Sequence, residues 1–259
     1  MTASTAVVAA PTAAAQLWLR HGHAVYLGPS LGMGAHSTAL ACLGVGLDAP
    51  FTVWVQGARE AVTVRSFLFE ARRVHETTDG DGRMLFCFFD PTSARMAGSL
   101  GGMRRVLAGG GAEHRNEAEL IACCAQEPVD FPRLLRLASV PLPEVLDARV
   151  EAAAADIRSD PARKHGAADA AARAGLSTSH FLRLFAAQTG TSFRRYQQWA
   201  RMLHVGRAFA AGHDFTRAAV DAGFSSPSHF SDTFRAMFGI TPTRFAAVDG
   251  ELVIHEEPG

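Results

Sequence analysis

The stretch "AVDAGFSSPSHFSDTFRAMFGITPTRF", Ala219 to Phe245, decides how the rest of the chain is read. A short helical run ends at Gly223, Ser225 supplies a polar cap, Pro227 suits a first helical turn, and Gly239 suits a left-handed stop. Between cap and stop, Phe230, Phe234, Met237 and Phe238 fall on one face by the 3.6-residue period, and Ser228, Ser231, Asp232 and Arg235 fall on the other. The pattern predicts two short helices meeting at a tight turn, the second anchored by aromatics and offering polar side chains outward. That is the grammar of a helix-turn-helix.

The same text occurs earlier with one residue fewer, as "AARAGLSTSHFLRLFAAQTGTSFRRY", Ala171 to Tyr196. Gly175 pairs with Gly223, Ser177 with Ser225, His180-Phe181 with His229-Phe230, Phe185 with Phe234, Gly190 with Gly239, and Arg195 with Arg244. Two copies imply a duplicated unit. In this copy Phe181, Leu184 and Phe185 form the core face, and Ser179, Leu182, Arg183 and Ala186 the opposite one. A solvated bundle is the plainer reading of any one such helix, but it does not explain the duplication.

Charge points the same way. The chain is neutral overall, with 25 basic and 25 acidic residues. From Arg163 to Ala247, however, eleven basic side chains face only Asp169, Asp214, Asp221 and Asp232, so a positive field is confined to the repeat region. On the outward faces Arg183 suits guanine O6 and N7, at roughly 1–3 kcal/mol of discrimination for a bidentate contact. Leu182 fits a thymine methyl or covers sugar. Asp232 either accepts from a cytosine amine or pairs with Arg235. Arg194, Arg195 and Arg244, just past the helix ends, and Arg235 are placed for phosphates, which position a protein without reading sequence.

These motifs, with the linker text "RMLHVGRAFAAG" (Arg201 to Gly212), resemble the DNA-binding domain of AraC/XylS-type transcription regulators from about 143 to 248. The resemblance implies two helix-turn-helix units, about 166–190 and 214–239, joined by a long central helix from about Ser192 to Ala211 and presented to successive major-groove turns. Carried over position by position, the base-reading residues are Ser179, Leu182 and Arg183 in the first unit and Ser228, His229, Ser231 and Asp232 in the second. Pro161 and Gly166 depart from the family's helix-rich lead-in and predict a short first helix.

The N-terminal half has a different texture. "AVYLG", "ALACLGVGL", "FTVWVQG", "AVTVRSFLFEA" and "RMLFCFFD" are short β-branched and aromatic runs between Gly, Pro and Asp, the signature of a sandwich or small barrel. This segment, 17–98, resembles the cupin-type sensor barrel of such regulators. The fold class is therefore α+β: a cupin-like, jelly-roll β-barrel followed by an all-α domain. Residues 1–16 and 249–259 read as tails. Residues 99–142 read as a helical connection, with the glycines of "GGMRRVLAGGGA" as a flexible link and a helix pair that either forms a dimer interface or caps the barrel.

Metal-binding cupins open on His-x-His, whereas here His36 is followed by Ser37-Thr38. His36 and His75 make at most a two-ligand metal site, which is poor for any structural metal. With Trp54 they are the candidate effector contacts. No nucleophile elbow, phosphate loop or CxxC occurs; Cys42, Cys87, Cys123 and Cys124 suit a reducing cytoplasm. The expected function is a DNA-binding transcription regulator, not an enzyme, without a cofactor. Its implied partners are double-stranded promoter DNA, a small-molecule effector, a second copy of the chain, and RNA polymerase if it activates; no membrane is implied. A metal-dependent cupin enzyme carrying a DNA-binding module, and a ligand-independent regulator with a degenerate barrel, are the competing readings.

Overall fold

The computed structural model describes residues 14–20, 23–78, 80, 82–90, 102–139, 146–248 and 252–256. The strands are β1 (Gln16–Arg20), β2 (His23–Pro29), β3 (Cys42–Gly46), β4 (Phe51–Val55), β5 (Val62–Val64), β6 (Ser66–Phe69), β7 (His75–Thr78), β8 (Arg83–Phe89), β9 (Met103–Leu107), β10 (Gly110–His114) and β11 (Val253–Glu256). Eight of them form one sheet in the order β11-β1-β2-β8-β3-β6-β10-β9, and β5-β4-β7 form a second. All pairings are antiparallel except β1 with β11.

The central strands of the large sheet, β2, β8, β3 and β6, lack an exposed polar face because both of its faces are covered there. Along β8, Met84 and Phe86 turn into the core shared with the small sheet, beside Phe51, Val53, Phe67 and Phe69, while Leu85, Cys87 and Phe89 turn the other way. That second face carries α1 (Glu117–Cys124) and α2 (Phe131–Ala138). Leu120, Cys123 and Cys124 of α1 and Leu134, Leu135 and Ala138 of α2 are buried there. The helix pair thus spends its apolar faces on the chain's own sheet, which favours the capping alternative.

Two boundaries differ from the sequence reading. The glycine-rich link is a hairpin, β9 and β10, that extends the sheet to residue 114. Gly110 and Gly111 pair with Phe69 and Leu68, and a Cβ at Gly110 would collide with the Leu68 carbonyl. Glycine here permits close strand approach, a role that composition alone cannot separate from flexibility. The C-terminal stretch is likewise no tail throughout, because Val253–Glu256 pair with Gln16–Leu19 and form the edge strand beside β1. Most of the expected N-terminal tail, residues 1–13, lies outside the described residues, and β1 begins at Gln16.

The remaining helices are α3 (Ala148–Ser159), α4 (Ala167–Arg173), α5 (Thr178–Thr189), α6 (Phe193–Ala210), α7 (Phe215–Asp221), α8 (Pro227–Phe238) and α9 (Pro242–Ala246). The 18 residues of α6 span about 27 Å, matching the central helix expected at 192–211. A chain of hydrogen bonds, buried at Tyr196 and Asp90, ties this helical part to the sheet. Tyr196 Oη donates to Asp90 Oδ2 at 2.8 Å and accepts from Arg158 Nη1 at 2.9 Å, and Arg158 Nη2 donates to Glu151 Oε1 at 2.7 Å.

Candidate nucleic-acid interface

Each helix-turn-helix is set by its caps. Ser177 accepts from His180 N, Ser192 from Arg195 N, Asp214 from Arg217 N, Ser226 from His229 N and Thr241 from Arg244 N, always three residues on. Each such bond satisfies one orphan donor of a first turn. The cap of α8 is therefore Ser226, where the sequence reading placed Ser225. Pro227 occupies the first turn, and the Ser225 hydroxyl instead meets His229 Nδ1 at 2.9 Å. The one-residue insertion of this copy lies before the cap, whereas pairing Ser177 with Ser225 places it after. By contrast α4 follows Gly166 with no side-chain cap, and its 7 residues equal the length of α7.

Two aromatic clusters hold the second helix of each unit, α5 and α8. Phe193 meets both Phe181 and Phe185 edge to face, with centroids 5.3 Å apart in each pair. Phe230 packs on Phe224 at 5.3 Å, Phe215 at 5.9 Å and Phe234 at 5.8 Å. Opposite these anchors, Ser179, Leu182 and Arg183 on α5 and Ser228, His229 and Asp232 on α8 are exposed, and Ser231 is half-buried. No ion pair joins Asp232 to Arg235, so that reading of the acid is not realised. Arg183, Arg194, Arg235 and Arg244 are exposed, which leaves their guanidinium groups accessible to an anionic surface.

Arg195 is the exception. Its Nη2 donates to Ser37 Oγ at 2.8 Å and its Nη1 to the Thr38 carbonyl at 3.2 Å. Burial first, then the nearby Arg72 charge, lowers its pKa. The same loop meets the end of α8, where Gly34 N donates to the Gly239 carbonyl and Ser37 N to the Ala236 carbonyl, both at 3.2 Å, and the Arg244 guanidinium lies against Gly32. The sheet-side partners Ser37 and Thr38 carry no sequence signal, because they stand some 158 residues from Arg195.

His36 and His75 are brought together. Their backbones exchange hydrogen bonds at 2.9 Å in both directions, and their ring centroids lie 4.4 Å apart. Each Nδ1 faces a carbonyl, Gly34 O at 2.8 Å and Arg73 O at 2.9 Å, so each Nδ1 carries the proton. Burial lowers both pKa values, with that of His75 at about 3, where the His36 charge adds to the burial. Among the described residues no group of three or more His, Cys, Asp or Glu side chains is arranged to hold a metal ion. Trp54 stands apart, 40% exposed and paired with Glu76 across β4 and β7.

Residues 170–247 match a family model described as a helix-turn-helix domain. The HTH-type transcriptional regulator GlxA of Rhizobium meliloti (strain 1021) is 37% identical over 70 residues, 27% of this chain and 22% of that protein. Residues 170–247 are thus similar to a helix-turn-helix domain, and part of the chain is similar to a transcriptional regulator. The chain spans about a fifth of that relative's length, and the family-model match begins inside α4. The fold of most of the chain has solved counterparts. ToxT from Vibrio cholerae superposes with a TM-score of 0.60 at 14% identity, over 89% of this chain and 99% of that one. An unsaturated fatty acid bound form of ToxT superposes with a TM-score of 0.56 at 13% identity, over 88% of this chain and 95% of that one. A sheet-rich half followed by a helical half is thus a shared fold.

Proposed function

We propose that the chain is a sequence-specific DNA-binding transcription regulator whose sheet-rich half responds to a small molecule. The observation that carries this is the pair of outward faces, Ser179, Leu182 and Arg183 on α5 and Ser228, His229, Ser231 and Asp232 on α8, in two units joined by the 18-residue α6. Arg194, Arg235 and Arg244 supply phosphate contacts, joined by Arg195 once it leaves Ser37 and Thr38. The matched relative is a transcriptional regulator, and solved ToxT structures hold a fatty acid or a naphthalenyl butenoic acid, which supports an effector for this fold. Two sheets facing one aromatic core, antiparallel apart from the β1–β11 pair, support a cupin-like jelly roll as the sensor. On this reading 143–248 is the DNA-binding domain, a second copy of the chain is a partner, RNA polymerase is another if the outcome is activation, and the site of action is the cytoplasm.

The test is binding of the full chain to duplex DNA from its own upstream region, titrated against salt. Affinity should fall linearly on logarithmic axes, and Arg194→Ala should reduce the slope by about 1 while weakening all sequences alike. A flat salt response sinks the reading.

A further inference from the structure

An apolar cavity of about 110 Å³ lies between the sheet and the second helix-turn-helix. Tyr26, Phe86 and Phe88 wall it from the sheet, Trp199 from α6, and Phe234 and Phe238 from α8. No charged side chain is among its described lining residues. Two ring-borne polar hydrogens are present. The Tyr26 hydroxyl donates to the Pro29 carbonyl at 2.8 Å, whereas the Trp199 indole nitrogen is buried with no acceptor among the described residues. A buried donor without a partner is rare, because its lost hydration is not returned.

We infer that this cavity is a binding site for an uncharged, mostly apolar small molecule with one hydrogen-bond acceptor, such as a ketone or lactone carbonyl, taken by the Trp199 N–H. The inference rests on the sensor reading above and assigns it a place and a ligand class. A carboxylate would enter with no cation to pair with, and a polyol would leave several hydroxyls unbonded, both at high desolvation cost. Size narrows the class further. A cavity of about 150 Å³ lined by aliphatic and aromatic side chains holds benzene, so the occupant is on the order of one six-membered ring. His36, Trp54 and His75 do not line this space.

Phe234 and Phe238 stand on the same helix as Ser228, His229 and Asp232. An occupant therefore adds contact between α8 and the sheet, and favours the arrangement in which Ser37 and Thr38 hold Arg195.

Three ligands of equal ring size test the inference on the full chain: cyclohexanone, methylenecyclohexane and cyclohexanecarboxylate. Calorimetry gives affinity, and the Trp199 indole N–H resonance, assigned through Trp199→Phe, reports the hydrogen bond. Cyclohexanone should bind and shift that resonance, methylenecyclohexane should bind about tenfold more weakly, and the carboxylate should not bind. Trp199→Phe should erase the ketone's advantage, and Leu203→Phe, which fills the cavity from a half-buried position, should weaken both neutral ligands at least tenfold. Tightest binding by the carboxylate, an unmoved Trp199 resonance, or indifference to Leu203→Phe overturns the inference. DNA titrations with and without cyclohexanone separate it from the sensor reading. Ligand binding that leaves DNA affinity unchanged supports the site and defeats the sensor, while salt-dependent DNA binding by a chain that takes none of the three ligands defeats the site alone.

Discussion

Acidification should unlock the contact between the His36–His75 pair and the second helix-turn-helix. In the folded chain the His75 pKa is lowered to about 3 by burial and by the neighbouring His36 charge, and that of His36 is lowered by burial. In the unfolded chain both sit near 6.5. As pH falls below about 6.5 the unfolded state takes up protons first, so this stability is complete above that pH and is lost as pH falls toward the folded value, at up to ~1.4 kcal/mol per pH unit per histidine. Between pH 6.5 and 4.5, His75 alone accounts for about 2–3 kcal/mol, a large share of a total of ~5–15. The assay is urea unfolding at half-unit steps of pH, followed by circular dichroism, for the native chain and His75→Asn, which keeps a donor near the Arg73 carbonyl. The variant should be less stable at pH 7.5, lose less on acidification, and converge with the native chain near pH 4. Other buried or paired groups, such as His114 and Asp156, titrate in both proteins and cancel in the difference. Parallel stability curves for the two would refute the argument.

Gly190 and Gly239 end equivalent helices with φ of 67° and 73°, yet their surroundings differ. A Cβ at Gly190 meets nothing within 4 Å, while one at Gly239 would sit 2.5 Å from the Gly34 carbonyl oxygen and 2.8 Å from His36 Nδ1. Gly190→Ala should cost about 1–2 kcal/mol and Gly239→Ala distinctly more in thermal unfolding. Phe230→Ala empties a site 2% exposed and should destabilise the helical half by about 3–5 kcal/mol in denaturant titrations. Ser37→Ala removes one acceptor of Arg195 and should raise DNA affinity modestly in anisotropy measurements; a fall in affinity would mean that Arg195 does not reach DNA.

The helical half was readable because its rules are local. Caps, stops and aromatic spacing all act within four residues, so the two helix-turn-helix units and α6 fell within a residue or two of their expected bounds. Ser226 escaped because an insertion shifts register without changing composition. The sheet was readable as strands but not in its extent, since Gly110 and Gly111 are strand residues only by virtue of Leu68 and Phe69, more than forty positions away. The same limit hid the cavity. Trp199, Met202, Leu203 and Gly206 form an ordinary helical stripe in the text, and only the fold shows that Phe88, Phe234 and Phe238 leave a space beside it.

The central claim is sequence-specific reading of DNA by the two exposed recognition faces. Selection of bound duplexes from a random pool by the full chain, beside Arg183→Ala, tests it most directly. The account predicts two conserved blocks about one helical turn, roughly 10 base pairs, apart, with selectivity in the block read by α5 relaxed in the variant at a guanine by roughly 1–3 kcal/mol. A recovered pool with no motif, or a motif unchanged by Arg183→Ala, would contradict it.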